Sequence, residues 1–308
     1  MADGRDEIRQ KDRTSNKYAA KKAASERIAA QRAAQQRSER RRNVLIASSA
    51  TVAVLVVVAI IVVVGVSSKK SSTGSGNAVV AAPSSVTDAI SSAATSTLTS
   101  STTPDFSTIA GPPTSISSTA LKGSNGKAEV LYVGAEYCPY CAATRWPLTV
   151  ALSRFGTFSN LKTTYSADND NAGPHTPTLS FYQSSYTSQY IDFVSKEQED
   201  GAQQPLEKLT SEQNSLFSSL GGGGYPFIDF GGKWMQKGTS YDPKLLAGMT
   251  PDSVAKAITG TTKQGKTIQA SADVFTAIIC EIDGGQPSNV CTAAGVKAAD
   301  SAINGSSK

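Results

Sequence analysis

One histidine, His175, stands in 308 residues, and this scarcity argues against a His-rich zinc site or a His-dependent catalytic triad. Charge is also scarce: 18% of residues are Asp, Glu, Lys or Arg, against roughly 25% in an average globular chain. Apolar residues reach only 39%, below the usual range of roughly 45–50%. Ser, Thr, Ala and Gly fill the gap, which argues against one globular domain spread over the whole length. Four cysteines are too few for a disulfide-dense mini-scaffold and enough for two bridges. No repeat of solenoid length runs through the chain.

What is present is unevenly placed. Residues 1–43 hold 13 Lys/Arg and 6 Asp/Glu, a basic segment of net +7, and the rest of the chain sums to −2. Ala, Gln and Arg favour helix there, but the segment has no apolar face that could pack a core. Residues 44–66 then carry no charge and no proline. As a helix they would span roughly 34 Å, enough to cross a bilayer. A cleaved signal peptide is the alternative, but its apolar region would be shorter and would follow a short n-region. The expectation is one uncleaved transmembrane helix. Arg40, Arg41 and Arg42 abut it on the N-terminal side, which predicts a cytoplasmic N-terminus and an extracytoplasmic C-terminal part in a single-pass membrane protein. The basic segment is read as a topology signal, without a specific nucleic-acid partner.

Residues 67–120 are about half Ser and Thr, with Asp88 and Asp105 as the only acidic residues. Composition predicts a disordered tether. The folded part is then expected over 121–308, a single-domain size.

That part opens on a β-branched and aromatic run, 128–134, expected as a buried strand. Cys138-Pro139-Tyr140-Cys141 follows, and 142–155 reads as a helix. A C-x-x-C where a strand turns into a helix puts its first sulfur at a helix N-terminus, where free N–H groups favour an anion. That lowers a thiol below its free value of about 8.5. Pro139 suits the first turn because its missing N–H costs nothing there. The chemistry expected is attack by Cys138 on a disulfide and resolution by Cys141. Zinc would need four ligands, and Cys280, Cys291 and His175 are spaced wrongly to complete a set, so no metal is expected. An inert structural bridge at 138–141 is the other alternative.

Glycines 221–224 precede Tyr225-Pro226, and an apolar strand follows. A proline at the start of such a strand is where a cis bond is expected. Gly231-Gly232 reads as a hairpin turn between 227–230 and 233–236. The glycine run is no phosphate loop, since neither Lys-Ser/Thr nor a helix follows it. Helices are expected at 272–281 and 288–303, with Cys280 ending the first and Cys291 starting the second. A bridge between them fits an oxidising compartment. It reads as a structural staple or, alternatively, as a shuttle pair.

The strand, the YCPYC run, the following helix with Pro147 inside it, and the YPF hairpin together resemble the thioredoxin superfamily over about 128–260. The resemblance implies an α/β thioredoxin-like fold with an insertion and a C-terminal helical extension. It implies Cys138 as nucleophile and Cys141 as resolver. Tyr225, Pro226, Pro139 and Tyr140 would border the substrate. CPYC is similar to the glutaredoxin motif, but the tethering and the long spacing to Pro226 look more like exported disulfide oxidases of the DsbA type. The layout, with the run YCPYCAATRWPL, also resembles a family of prokaryotic membrane-tethered thioredoxin-like proteins without an established reaction. The chain departs from thioredoxins in having Tyr132 where their buried acid stands, six residues before the nucleophile. Glu136 or Tyr140 is left to contribute to proton handling, although Glu136 at such a position reads as a surface residue. The insertion, about 165–220, is expected to hold strands at 179–183 and 189–197 and a helix at 210–220.

The expected function is a membrane-anchored, extracytoplasmic thiol–disulfide oxidoreductase acting on protein thiols or disulfides. It would need no cofactor, but it would need an unidentified membrane electron donor or acceptor. The alternative is a non-catalytic envelope binding module on the same scaffold.

Overall fold

The computed structural model describes residues 77–96, 98, 104–123 and 125–305. The basic segment at 1–43, the run 44–66 expected to span a membrane and the start of the expected tether lie outside the described residues. Among the described residues, no helix is long and apolar enough to cross a membrane.

The core is a mixed α/β domain. Its centre is β3 (Ala128–Gly134), in which every residue from Val130 on is buried. A strand covered on both faces reads as a continuous apolar run rather than an alternating one, and VLYV does. β8 (Ile191–Glu197) pairs with β3 in parallel. On the other side, β9 (Phe227–Phe230) pairs with β3 antiparallel, and β10 (Trp234–Lys237) pairs antiparallel with β9. The short β2 (Thr114–Ser115) closes the edge, giving the order β2-β10-β9-β3-β8. The β9–β10 turn is the expected one, with Gly231 and Gly232 at φ 63° and 73°. Residues with side chains rarely adopt that region. The Asp229 carboxylate accepts from the Gly232 N–H at 2.7 Å.

β3 leads into α2 (Pro139–Leu152), numbered after the earlier α1 (Ser84–Ser96). Every α2 residue except Tyr140 is buried. The helix is buried all round because it has neighbours all round: it packs on α1, on β6 (Pro177–Ser180) and on the long α5 (Lys263–Asp283). The core is completed by α4 (Pro251–Ile258), which packs on α1 and α5, and by α7 (Ala294–Gly305) against α5.

Two expectations change here. Residues 77–120 are not tether in their described parts. β1 (Val80–Ala81) pairs with β5 (Lys162–Tyr165), and α1 buries Val86, Ile90, Ala93 and Ala94. That spacing is one helical face, hidden in the composition because half of it is alanine. Further on, the 110–118 segment runs along β10, with Ala110, Ile116 and Ser118 N–H groups bonding the carbonyls of Ser240, Lys233 and Gly232. Secondly, the strand read at 189–197 is not part of an insertion. It is β8, a strand of the main sheet.

Between α2 and β8 the chain adds β4 (Gly156–Ser159) with β7 (Ser185–Ser188), and β5 with β6, two small antiparallel units. The helix read at 210–220 is α3 (Ser211–Ser219), started by a capping box between Thr210 and Gln213. The first of the two C-terminal helices, α5, begins nine residues earlier than expected. The second is broken into α6 (Ser288–Cys291) and α7. Cys280 and Cys291 form a disulfide, with an S–S distance of 1.99 Å and Cα atoms 5.6 Å apart.

Candidate functional site

Cys138 is the N-cap of α2. Its Sγ accepts from the Cys141 backbone N–H at 3.3 Å, so one of the helix's unbonded donors points at the sulfur. Both cysteines are free thiols. Their environments pull them apart. The Cys138 thiol is lowered, first by a hydrogen bond from the Cys141 side chain, then by backbone N–H groups and the Arg145 charge, against an opposing effect of burial. The Cys141 thiol is raised well above its ordinary value, chiefly by complete burial and then by the neighbouring Cys138. Cys138 itself is only 5% exposed, and Tyr137 and Tyr225 pack around the pair. Tyr140, between the two sulfurs in sequence, is 42% exposed.

The Tyr225–Pro226 bond is cis, as its place before β9 led us to expect. Pro226 is buried, and Tyr225 stacks on Phe217 of α3 with ring centroids 5.5 Å apart. Beside Tyr225 opens a groove of about 420 Å³, bordered by Gln198, Glu199, Glu207, Lys208 and Asn214. Thus Cys138, Cys141 and Tyr225 come together in one cluster, with Pro139 and Tyr140 at the start of the same helix. His175 is exposed as expected: its ring stacks on Tyr165, and its Nδ1 lies 2.7 Å from Asp168.

The sequence reading missed a set of buried charges behind the cysteines. Arg145, one helical turn after Cys141, is fully buried. Its Nε and Nη2 donate to the two oxygens of Glu197 at 2.9 and 2.7 Å, a bidentate pair at the end of β8. Nη2 also donates to the Ala135 carbonyl at 2.9 Å, and Nη1 to Thr178 Oγ1 at 3.3 Å. Glu136, read as a surface residue, is 1% exposed. Its Oε1 accepts from Ser180 Oγ at 2.5 Å, and Oε2 is buried without a hydrogen-bond partner among the described residues. Burial, followed by repulsion from Glu197, pushes its carboxyl up to about 7, against the pull of Arg145. Tyr132 is buried, with its hydroxyl unpartnered among the described residues. The visible signal for this cluster was Arg145 itself, the one charge in the otherwise uncharged helix.

The Cys280–Cys291 bridge is at the other end of the sheet. Phe227, next to Pro226, pairs with Val133 near the cysteine end of β3, whereas Phe230 pairs with Val130. At Gly231 an added Cβ would lie 3.1 Å from Ile282, two residues past Cys280. The four residues of β9, about 10 Å of strand, therefore run from one sulfur pair toward the other. Among the described residues, no group of three or more His, Cys, Asp or Glu is arranged to hold a metal ion.

A mixed α/β domain carrying a C-x-x-C at a helix N-terminus, with the tyrosine of a cis Tyr–Pro bond packed against it, is thus the class of protein that the fold and site define. More particularly, the chain belongs to the family described as a domain of unknown function, DUF929, whose model matches residues 113–221 and 222–281. That match takes in the five-stranded sheet and the cluster around Cys138, and leaves α1, α6 and α7 outside it. No curated protein matches the chain, and no solved structure does.

Proposed function

We propose that this protein is a thiol–disulfide oxidoreductase of thioredoxin-like fold acting on protein cysteines, with Cys138 as nucleophile and Cys141 as resolver. The observation that carries the reading is the opposed behaviour of the two thiols. The thiol at the helix N-terminus is lowered, and the buried one behind it is raised. The first is then the anion that attacks, and the second holds its proton until the mixed disulfide forms. The strand order supports the fold likeness: β3 and β8 are parallel, with α2 in the connection between them, followed by the antiparallel β9 and β10.

In the reducing direction, Cys138 attacks a substrate sulfur and displaces one substrate thiolate. Cys141 then gives up its proton and attacks Cys138, which releases the second substrate thiolate and leaves a Cys138–Cys141 disulfide. Oxidation of a substrate dithiol is the reverse and leaves the pair reduced, to be reoxidised by an electron acceptor. The Cys280–Cys291 bridge favours an oxidising compartment, hence the oxidase direction and an extracytoplasmic location, and the uncharged run 44–66 would supply the membrane anchor. Thiol labelling in intact cells tests that location; a domain labelled only after lysis ends the oxidase direction.

The test of the activity is insulin reduction and oxidation of a reduced protein by the full chain, wild type against Cys138→Ser. Both activities are expected to vanish in the variant, and no difference in either assay sinks the claim. Cys141→Ser is expected to accumulate mixed disulfides that identify the substrates. One observation favours the second reading, a non-catalytic scaffold: Cys138 is only 5% exposed. Failure of iodoacetamide to alkylate Cys138 in the folded protein would decide for it.

A further inference from the structure

The charges behind the cysteines are unbalanced. Glu197 and Glu136 both act on one guanidinium, Arg145, and Glu136 is the one left with an oxygen unpartnered among the described residues. Arg145 also acts on both thiols, and its Nη2 is tied to the carbonyl of Ala135, the chain neighbour of Glu136. We propose that Glu136 and Arg145 are positioning residues for the Cys138–Cys141 pair, and that the charge on Glu136 governs how strongly Arg145 stabilises the Cys138 thiolate. The inference rests on the reading of Cys138 as the nucleophile.

The physical argument is one of shared charge. With Glu136 protonated, the cluster holds one carboxylate and one guanidinium, and the remaining field of Arg145 favours an anion at the sulfurs. With Glu136 ionised, a second buried carboxylate offsets the same guanidinium, and the thiolate loses part of its support. The effect is large in the interior because little water screens it. It is also reciprocal: a thiolate at Cys138 favours the proton on Glu136.

The groups that face Glu136 are Arg145 of α2, Glu197 of β8, the Ser180 hydroxyl of β6 and, electrostatically, Lys162 of β5. Arg145 and Lys162 favour its ionised form, as does the Ser180 hydrogen bond, whereas Glu197 and burial oppose it. The opposing effects prevail, so the carboxyl changes charge near neutrality, where thiol exchange operates.

The experiment is the rate of iodoacetamide alkylation of Cys138 in the reduced full chain between pH 5 and 10, read by peptide mass spectrometry. The wild type is expected to show two inflections, one of them near pH 7. Glu136→Gln keeps an oxygen for the Ser180 hydroxyl and is expected to show one inflection. Once Glu136 would be ionised, above about pH 7, its Cys138 thiolate should form at a pH lower by ~0.5 units, so alkylation is about threefold faster between that pH and the thiol's own value and equal to the wild type near pH 5. Ser180→Ala, which leaves the acid in place, is expected to move the wild-type inflection near pH 7 upward. Identical profiles in all three proteins, with the thiol still titrating below its free value of about 8.5, overturn the inference while leaving the oxidoreductase reading intact. A single inflection at the free-thiol value of about 8.5 in all three ends the thiolate reading itself.

Discussion

Pro147 has no N–H to offer the Ala143 carbonyl one turn back, and the Tyr241 hydroxyl bonds that carbonyl instead, at 2.7 Å. Tyr241→Phe removes the replacement donor and leaves a buried carbonyl unsatisfied. It is expected to cost about 1–3 kcal/mol in urea unfolding. Glu136 makes the second prediction at this scale. Its carboxyl is raised from 4.5 to about 7 on folding. The stability that this contributes is therefore fully present below pH ~4.5 and is lost as pH rises through about 7. Glu136→Gln, which cannot ionise, is expected to match the wild type near pH 4.5 and to gain on it at pH 8, by an amount on the order of 3 kcal/mol. Thermal unfolding at the two pH values checks it; equal differences at both would refute it. At this scale the sequence made the cysteines and Pro226 legible, because each carries a local signature. Arg145 and Glu197 are 52 positions apart. Nothing local announces such a pair, and burial is what turns Glu136 from an ordinary surface carboxylate into a titrating group.

Elements were legible where their periodicity uses large side chains. α2, the β9–β10 hairpin and α3 with its capping box stand close to where the pattern put them. α1 was missed because Ala93 and Ala94 supply half of its buried face, inside a Ser/Thr-rich stretch that reads as solvated chain. β4, β5 and β7 are four-residue strands, too short for alternation to register. The prediction for α1 is direct. Ile90 is 2% exposed in the main core, so Ile90→Ala is expected to cost about 2–5 kcal/mol by denaturant midpoint. A disordered tether would give no change.

Over the whole molecule, charge and sulfur are both segregated. The +7 of residues 1–43 stands against only −2 in the rest, a segregation in keeping with the topology proposed above. One sulfur pair sits at the head of α2, and the other clamps α5 to α6 at the far end of the sheet. The sequence spacing showed that two pairs were available, but only the topology shows how far apart they are. If the second pair is a staple, replacing both Cys280 and Cys291 by alanine lowers stability by roughly 2–3 kcal/mol, the value for closing a loop of about twelve residues. Insulin turnover by the folded double variant should equal that of the wild type. A variant that folds and reduces nothing would make the pair a relay.

The packing of α1 also sets an order on synthesis. α1 is among the earliest described parts of the chain to be made, and at 13 residues it is marginal as a helix by itself. One of its seats, α2, arrives about forty residues later; the other is α4, where Ser85 meets Asp252 across 167 positions. At roughly 5–20 residues per second, α1 waits about 8–30 s for that second seat. Without that seat α1 is only partly covered, so a ribosome stalled before residue 250 would hold a nascent chain with part of the α1 apolar face open to any chaperone or protease within reach.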